Sequence, residues 1–422
     1  MYPRHRLDIS ERVMLRAMST TLKTSATEAG AWASHVESRY STDAIVILSV
    51  RSAFDLLLEA CDVTAGDDII MSSVTIADMG HIASSRGLRV VPIDLDPGTL
   101  APCVESMRAA ITPRTRMIVV AHLFGGRIDM TPYVELARAH DLLIVEDCAQ
   151  ALRGADDCGC EAADVSLFSF GPLKTATALG GAIAHVRRPQ LAGRMRALHG
   201  QWPAHSESWY RRRVAKYSMF PPLLAPRAYR MVVRALTMRG RDIDTALNSF
   251  TRGFGHDPDR MLVGVRHRPP ASLLRVLNDR LDRFPAQRLE RRAEVGAWLA
   301  ERLPPTVSLV GADQQSHTHW MMPIHTDSPG ALVEHVRAAG FDATRASHTN
   351  MVALHPSADA EPSMHRMPGV LAYTVFIPAF PEIKPRDRER LIRALWHAPV
   401  ADSQTPQELR PSTGVAISSS VR

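Results

Sequence analysis

The sequence predicts an α/β fold: a large domain with a mostly parallel sheet wrapped by helices, followed by a smaller C-terminal α+β domain. Three observations carry this. From residue 44 onward, short β-branched runs alternate with stretches of helical period. The chain has 422 residues, more than the roughly 100–200 of a single domain. A long charged helical stretch, residues 286–302, separates the alternating part from a second mixed segment.

In chain order, residues 1–40 read as an N-terminal helical segment, and the large domain runs from 41 to 202. Within it, "AIVILSV", "DDIIMSS", "RVVPIDL", "TRMIVVAHLFG" and "DLLIVEDCAQ" are strand-like, while "SAFDLLLEAC", "IADMGHIASSRG", "CVESMRAAI" and "MTPYVELARAH" between them are helical. Such repetition gives parallel strands joined by right-handed crossovers and buried on both faces. Asp55, Leu56, Leu57, Leu58 and Cys61 fit one helix, which ends before the glycine of "VTAGDD". Residues 203–265 break the pattern and read as a basic helical insertion. Residues 266–400 hold the linking helix "AQRLERRAEVGAWLAER" and a small domain built from "HTHWMMPIHT", "GALVEHVRAAGF" and "RDRERLIRALWH". The tail, 401–422, is polar and rich in Ser, Thr and Pro, a composition expected to be disordered.

An apolar fraction of 45% can fill a real core, and no apolar run reaches the roughly 18 uncharged residues of a membrane span. The N-terminal "MYPRHRLDIS" lacks the apolar region of a secretory leader, and the five cysteines form an odd, uneven set. The expectation is a reduced, cytoplasmic protein. Cys158-Gly-Cys160 with Cys148 has neither the gap nor the second ligand pair usual for zinc, so no metal is expected and a hairpin carrying thiols is the simpler reading.

The chemistry concentrates at strand ends. "DLLIVEDCAQ" is an apolar strand ending in Asp147, where parallel sheets bind ligands. "DVSLFSF" is another strand with Ser169 near its end, and Lys174 follows on a loop of neutral residues, "GPLKTATALGGA". A surface lysine needs no such surroundings, whereas one that must lose its proton does, because burial lowers its pKa. Singly, an Asp after a strand is often a helix cap and a loop lysine is usually solvated. Together, in this order, they suit pyridoxal 5'-phosphate: a carboxylate for the pyridinium nitrogen, a hydroxyl for phosphate, and a lysine for the Schiff base.

With these residues the chain resembles the DegT/DnrJ/StrS family of sugar aminotransferases, within the fold type I pyridoxal phosphate enzymes. The likeness runs from about residue 40 to 200 and again over 266–398, in four ordered motifs: "AGDDIIMSSVTIAD", "VVAHLFGGRIDM", "VEDCAQALRG" and "FSFGPLKTATALGGA". The resemblance implies that Lys174 is the Schiff-base lysine and proton-transfer base, that Asp147 holds the pyridinium, and that Ala149 covers one ring face with Gln150 near the ring hydroxyl. It further implies that Ser169 binds phosphate and that Ser52 and Ala53 offer N–H groups at the start of a helix. Departures accompany the matches. Val50-Arg51 replaces the family's Gly-Thr, Ile76 stands where an aromatic usually stacks on the cofactor, and Leu179 replaces a Glu. Arg266-His267-Arg268 stands where relatives offer Asn-Tyr-Arg to a neighbouring subunit's phosphate, making Arg266 the expected substitute. Retention of lysine, where a subset of relatives carries histidine for dehydration, implies transamination. The expected partners are an amino donor such as glutamate, a nucleotide-linked keto-sugar acceptor, and a second copy in a homodimer. The changed residues leave open another amine chemistry on a non-sugar substrate, or a non-catalytic membrane-surface protein on this scaffold.

The net charge of +6 is clustered. Between Glu207 and Asp242 there is no acid, against Arg211, Arg212, Arg213, Lys216, Arg227, Arg230, Arg234, Arg239 and Arg241. In "PRAYRMVVRALTMRGR", Arg227, Arg230, Arg234 and Arg241 share a helix face, and Tyr229, Met231, Val232, Val233 and Leu236 form the apolar remainder. Three readings of the tract stand side by side: residues 209–241 on an anionic membrane surface at the inner face, a basic rim steering a pyrophosphate-linked substrate, or a solvated helix covering a dimer edge. Few interleaved aromatics and no reader motif argue against nucleic acid. His319, Arg345, His348 and His355 read as core or surface residues of the small domain rather than catalytic ones.

Overall fold

The computed structural model describes residues 1–41, 43–241, 243–246, 257–349, 351–354 and 366–399. Helices α1 (Glu11–Lys23) and α2 (Ala29–Glu37) lead into β1 (Asp43–Ile47) and α3 (Val50–Ala60). Next come β2 (Asp68–Ser72), β3 (Val74–Ile76), α4 (Ala77–Ser85), β4 (Arg89–Ile93), α5 (Val104–Ala109) and β5 (Thr115–Ala121). The large domain is completed by β6 (Gly126–Arg127), α6 (Thr131–Ala139), β7 (Leu143–Asp147), β8 (Val165–Ser169), β9 (Ala182–Val186) and α7 (Pro189–Gln201).

Seven of these strands form one sheet in the order β1-β9-β8-β7-β5-β2-β4. Strands β4, β2, β5, β7 and β8 are mutually parallel, and every residue of β2 and β9 is buried. Strand β9 alone runs against both neighbours, β8 and β1. The reason is local: parallel neighbours need a crossover, usually helical, whereas β8 returns directly through the loop 170–181, which is the loop that carries Lys174. Strand order reverses between β2 and β5, so the carboxyl ends of the strands open into a crevice there.

Helices α8 (Glu207–Ser218), α9 (Phe220–Leu223) and α10 (Pro226–Met238), and the later helix Pro258–Val265, belong to the described part of the basic insertion. Ser206 caps α8 by accepting the Trp209 N–H, and the Tyr210 hydroxyl donates to Ala178 O at 2.6 Å, which fixes α8 to the Lys174 loop. Helix α10 starts on Pro226 and stops before Gly240, at φ +64°, as its punctuation predicts. Its apolar side is largely exposed. Only Tyr229 is buried, while Met231 and Met238 are 73% and 78% exposed.

In the small domain, β10 (Ser308–Leu309), β12 (Met322–His325), β13 (Thr344–Arg345) and β15 (Thr374–Ile377) form an antiparallel sheet ordered β10-β12-β15-β13. Helices Ala286–Ala300, Pro329–Ala338 and Pro385–Trp396 pack on it around Leu299, Val336, Phe341 and Leu395. Two short strands tie the domains together: β11 (Ser316–His317) pairs with β6, and β14 (Met351–Ala353) pairs with β3. Helix Ala271–Asp282 packs against α1, α2 and α8, burying Leu273, Leu277 and Leu281. The N-terminus crosses to the small domain, where Tyr2 N–H donates to Gly340 O and Arg4 pairs with Asp342 and Asp244. The expected hairpin at Cys158–Cys160 is instead a loop, turned at Gly159 with φ +79°, whose Cys160 N–H donates to Glu146. The tail 401–422 and His355 lie outside the described residues.

Candidate active site

A cavity of about 290 Å³ opens at the carboxyl ends of the strands, against the small domain. Strand β7 delivers Asp147 to its wall, β8 delivers Ser169, and the following loop delivers Lys174. Ala149, Gln150 and Ile76 line the same cavity. One Asp147 oxygen accepts the Ala149 N–H at 2.9 Å. Burial pushes the Asp147 carboxyl above its usual pKa of 3.8, opposed by that hydrogen bond and by the charge of Lys174. A partner cation would be needed to hold it ionised. The Gln150 Oε1 accepts the Phe124 N–H at 2.9 Å, which fixes the amide and leaves its NH₂ for the cavity.

Lys174 carries the perturbation the loop foretold. Burial lowers its pKa from 10.5 to about 8, Asp147 pulls upward, and Arg51 adds to the lowering. Its Nζ lies 4.3 Å from the ring centroid of Trp320, whose indole N–H donates to Leu173 O at 2.8 Å. Trp320 comes from the small domain and had no local signal, because nothing in "HTHWMMPIHT" points to a lysine so far away in sequence.

The start of α3 differs from expectation. Ser52 and Ala53 are fully buried beneath the surface of the cavity. The Ser52 N–H donates to Ser49 Oγ at 3.1 Å and the Ala53 N–H to Ser49 O at 2.9 Å, so neither N–H is open to a ligand. It is Ser49, Val50 and Arg51 that border the cavity. Arg51 pairs with Asp78 of α4. Arg266 is also away from the cavity, held at 2.7 Å by the buried Asp55 of α3, which Arg86 shares. The small-domain candidates do not line the cavity either: His319 is buried at φ +46°, and His348 contacts Asp244 at 3.1 Å. Thr344, Thr349 and Met351 do line it.

The basic tract, read from sequence as a surface feature, also contributes walls. Trp209, Arg213, Phe220, Leu224 and Tyr229 all line the cavity. The signal was present in the run of arginines, but composition alone does not reveal which of them turns inward.

Beside the cavity, His122, Glu146 and Cys148 could be taken for a metal site, since their ligand atoms lie within 4.8 Å of one another. Their hydrogen bonds say otherwise. The His122 Nδ1 accepts the Ile128 N–H, so Nε2 is the donor to Glu146 Oε1 at 2.7 Å. Glu146 also accepts from Arg127, Ser166 Oγ and the Cys160 N–H. Burial would raise its pKa, but His122 and Arg127 hold it well below the carboxylate range. The cluster is a saturated hydrogen-bond network.

Residues 30–219 match the model of the DegT/DnrJ/EryC1/StrS aminotransferase family, a stretch that takes in α8. Over 149 residues the chain is 40% identical to an L-glutamine:2-deoxy-scyllo-inosose aminotransferase of Streptomyces kanamyceticus, covering 34% of each chain. Over 161 residues it is 35% identical to a GDP-perosamine synthase of Caulobacter vibrioides, covering 37% of this chain and 43% of that one. The matched stretch thus spans less than half the length of these curated relatives. Among solved structures, a sugar aminotransferase from Micromonospora echinospora superposes with TM-score 0.66 at 20% identity, over 94% of this chain and 99% of that one. A 3-amino-5-hydroxybenzoic acid synthase gives 0.64 at 17%, over 94% and 98%. The fold is therefore that of these solved aminotransferases along nearly the whole chain, and residues 30–219 are similar to the DegT/DnrJ/EryC1/StrS aminotransferase family.

Proposed function

We propose that this chain is a pyridoxal 5'-phosphate-dependent aminotransferase that moves an amino group from an amino acid such as glutamate to a keto sugar. The observation that carries the reading is the convergence of Asp147 and Ser169, from two strand ends, and Lys174, from the loop after the second, on one cavity beside the first turn of α3. The donor set fits the cofactor. A lysine of lowered pKa offers a nucleophilic amine, a desolvated carboxylate seeks a cation, and Ser169 brings a hydroxyl to the same cavity. When bound, the cofactor supplies an electron sink for the carbon whose proton is moved.

The chain's own residues do the rest. Lys174, partly neutral at physiological pH, would hold the cofactor through its Nζ until the amino donor displaces it, and the freed amine would carry the proton that changes place in the transfer. Asp147 would hold the ring nitrogen, Ala149 and Ile76 would bound the ring faces, and Gln150, positioned by the Phe124 N–H, would meet a ring oxygen. Trp320, whose ring centroid lies 4.3 Å from the Lys174 Nζ, would bound the cofactor's pocket from the small-domain side. Incubating loaded protein with glutamate or glutamine should convert the cofactor stoichiometrically to its amine form. Failure with every amino donor, in protein that binds the cofactor, overturns the transaminase reading.

A non-sugar acceptor is favoured by one observation: the wall supplied by Trp209, Phe220, Leu224 and Tyr229 is largely apolar. Keto sugars and keto carbocycles or aromatics, offered in parallel to the amine-form protein, separate the two readings. A homodimer and a peripheral membrane position belong to the same proposal. Exposed Met219, Met231 and Met238 stand among exposed Arg227, Arg230 and Arg234, a composition suited to anionic lipid. Among the described residues no helix is long and apolar enough to cross a membrane. Co-sedimentation with phosphatidylglycerol vesicles, lost on replacing those arginines, tests the surface, and light scattering tests the dimer.

A further inference from the structure

The cavity holds a cation with no charge partner. Arg213 of α8 turns inward and donates its Nε–H to the carbonyl of Leu179, yet no carboxylate pairs with it among the described residues. It is flanked instead by the rings of Trp209 and Tyr217, at 5.4 and 5.5 Å from their centroids. Burial lowers its pKa from the ordinary arginine value, and nearby Arg51 pushes in the same direction. An enclosed guanidinium without a counter-charge is costly unless an anion joins it.

The backbone shows where that anion would sit. Gly181 N–H donates to Leu48 O, immediately before Ser49, while Phe170 N–H, immediately after Ser169, donates to Gly181 O. The Gly180-Gly181 pair is therefore wedged between the start of α3 and the end of β8. Arg213 approaches that pair from the cavity side: a Cβ on Gly180 would lie 4.0 Å from its Nε. Leu179 holds φ +63°, a conformation a leucine adopts at a cost, and in it the Leu179 carbonyl accepts from Arg213. At the same corner the N–H groups of Val50 and Arg51 have no acceptor among the described residues, and Arg51 is already matched by Asp78. The uncompensated charge is that of Arg213.

We propose that Arg213, with Arg51, Ser169 and the first turn of α3, forms a phosphate-monoester site completed within one chain. This rests on the reading above in one respect only, that the monoester is the cofactor's. In that reading, the cation expected from Arg266 of a neighbouring subunit is supplied by the basic tract of the same subunit. Arg266 is committed to Asp55.

The test is equilibrium binding to the full chain, followed by absorbance and calorimetry, with three probes: pyridoxal 5'-phosphate, pyridoxal without phosphate, and inorganic phosphate. Arg213→Gln should weaken pyridoxal 5'-phosphate by at least about 10-fold, as loss of a charge-assisted contact does. It should leave pyridoxal within about 2-fold and abolish competition by inorganic phosphate. Arg213→Lys should recover most of the loss, which guards against a folding defect, and Arg266→Gln should change none of the three. Equal weakening of pyridoxal and its phosphate, or a phosphate-specific loss in Arg266→Gln but not in Arg213→Gln, overturns the proposal. If wild type ignores both pyridoxal forms but binds inorganic phosphate through Arg213, the anion site stands and the cofactor reading fails. If it binds neither phosphate probe, both fall.

Discussion

Lys174 should titrate near 8 in the cofactor-free protein, well below an ordinary lysine at 10.5. The difference decides reactivity. At pH 7.5 a pKa of about 8 leaves about a quarter of the amine neutral, against about one part in a thousand at 10.5, a gain of about 200-fold in nucleophile. The chain makes the measurement accessible because it contains only four lysines, Lys23, Lys174, Lys216 and Lys384. Reductive methylation with ¹³C-formaldehyde then gives few signals besides the N-terminal amine, which burial lowers to about 6. Lys174→Met identifies the signal of interest. Two further variants move it in opposite directions: Asp147→Asn removes the charge that raises its pKa and should lower the midpoint, and Arg51→Met removes a charge that lowers it and should raise the midpoint. A Lys174 midpoint close to that of a solvated lysine, unmoved by either variant, would refute the argument from burial.

Other consequences follow from the same contacts. Gly125 has φ +103°, and a Cβ there would meet Trp320 N at 2.5 Å, so Gly125→Ala should cost about 1–3 kcal/mol in urea unfolding and shift the Lys174 midpoint as Trp320 is displaced. Arg4→Met removes one of the two cations, Arg4 and Arg337, that face the buried Asp342 and Asp244, and should cost about 1.5–3 kcal/mol at pH 7. Burial opposes ionisation of Asp244, but Arg4 and Arg337 hold its pKa below 3.8. Its stabilising share is therefore present above pH 3.8 and lost as pH falls through the lower folded value, so the gap between wild type and Arg4→Met should narrow in acid. Glu146→Gln breaks a network that includes the buried Arg127 and should lower the thermal midpoint measurably, without release of any bound metal on chelation.

The sequence was most legible where structure is local. Alternating strands and helices give the parallel core, and the acid and hydroxyl at the ends of β7 and β8 are visible because a strand's carboxyl end faces the crevice whatever the rest of the chain does. Lys174 stood out because a charged residue in a neutral loop is rare. Less legible were features set by contacts distant in sequence. The reversal of β9 depends on the loop before it having no crossover helix, and Trp320 reaches Lys174 because the small domain is anchored by β11 on β6 and β14 on β3. Ser52 and Ala53 lie a fraction of a helical turn beyond the residues that border the cavity, and Ser49 uses their N–H groups internally. Arg213 lay in plain view among nine basic residues, but its inward turn is fixed by Tyr210 docking on Ala178, which no periodicity reports. Arg266 could not be separated from Asp55 before α3 was folded.

The most direct test of the account is the visible absorption spectrum of purified protein with added pyridoxal 5'-phosphate, wild type beside Lys174→Ala, followed after adding glutamate or glutamine. The account requires a yellow band in wild type alone that bleaches with the amino donor as the cofactor takes up the amine. No band in wild type, or the same band in Lys174→Ala, would contradict it.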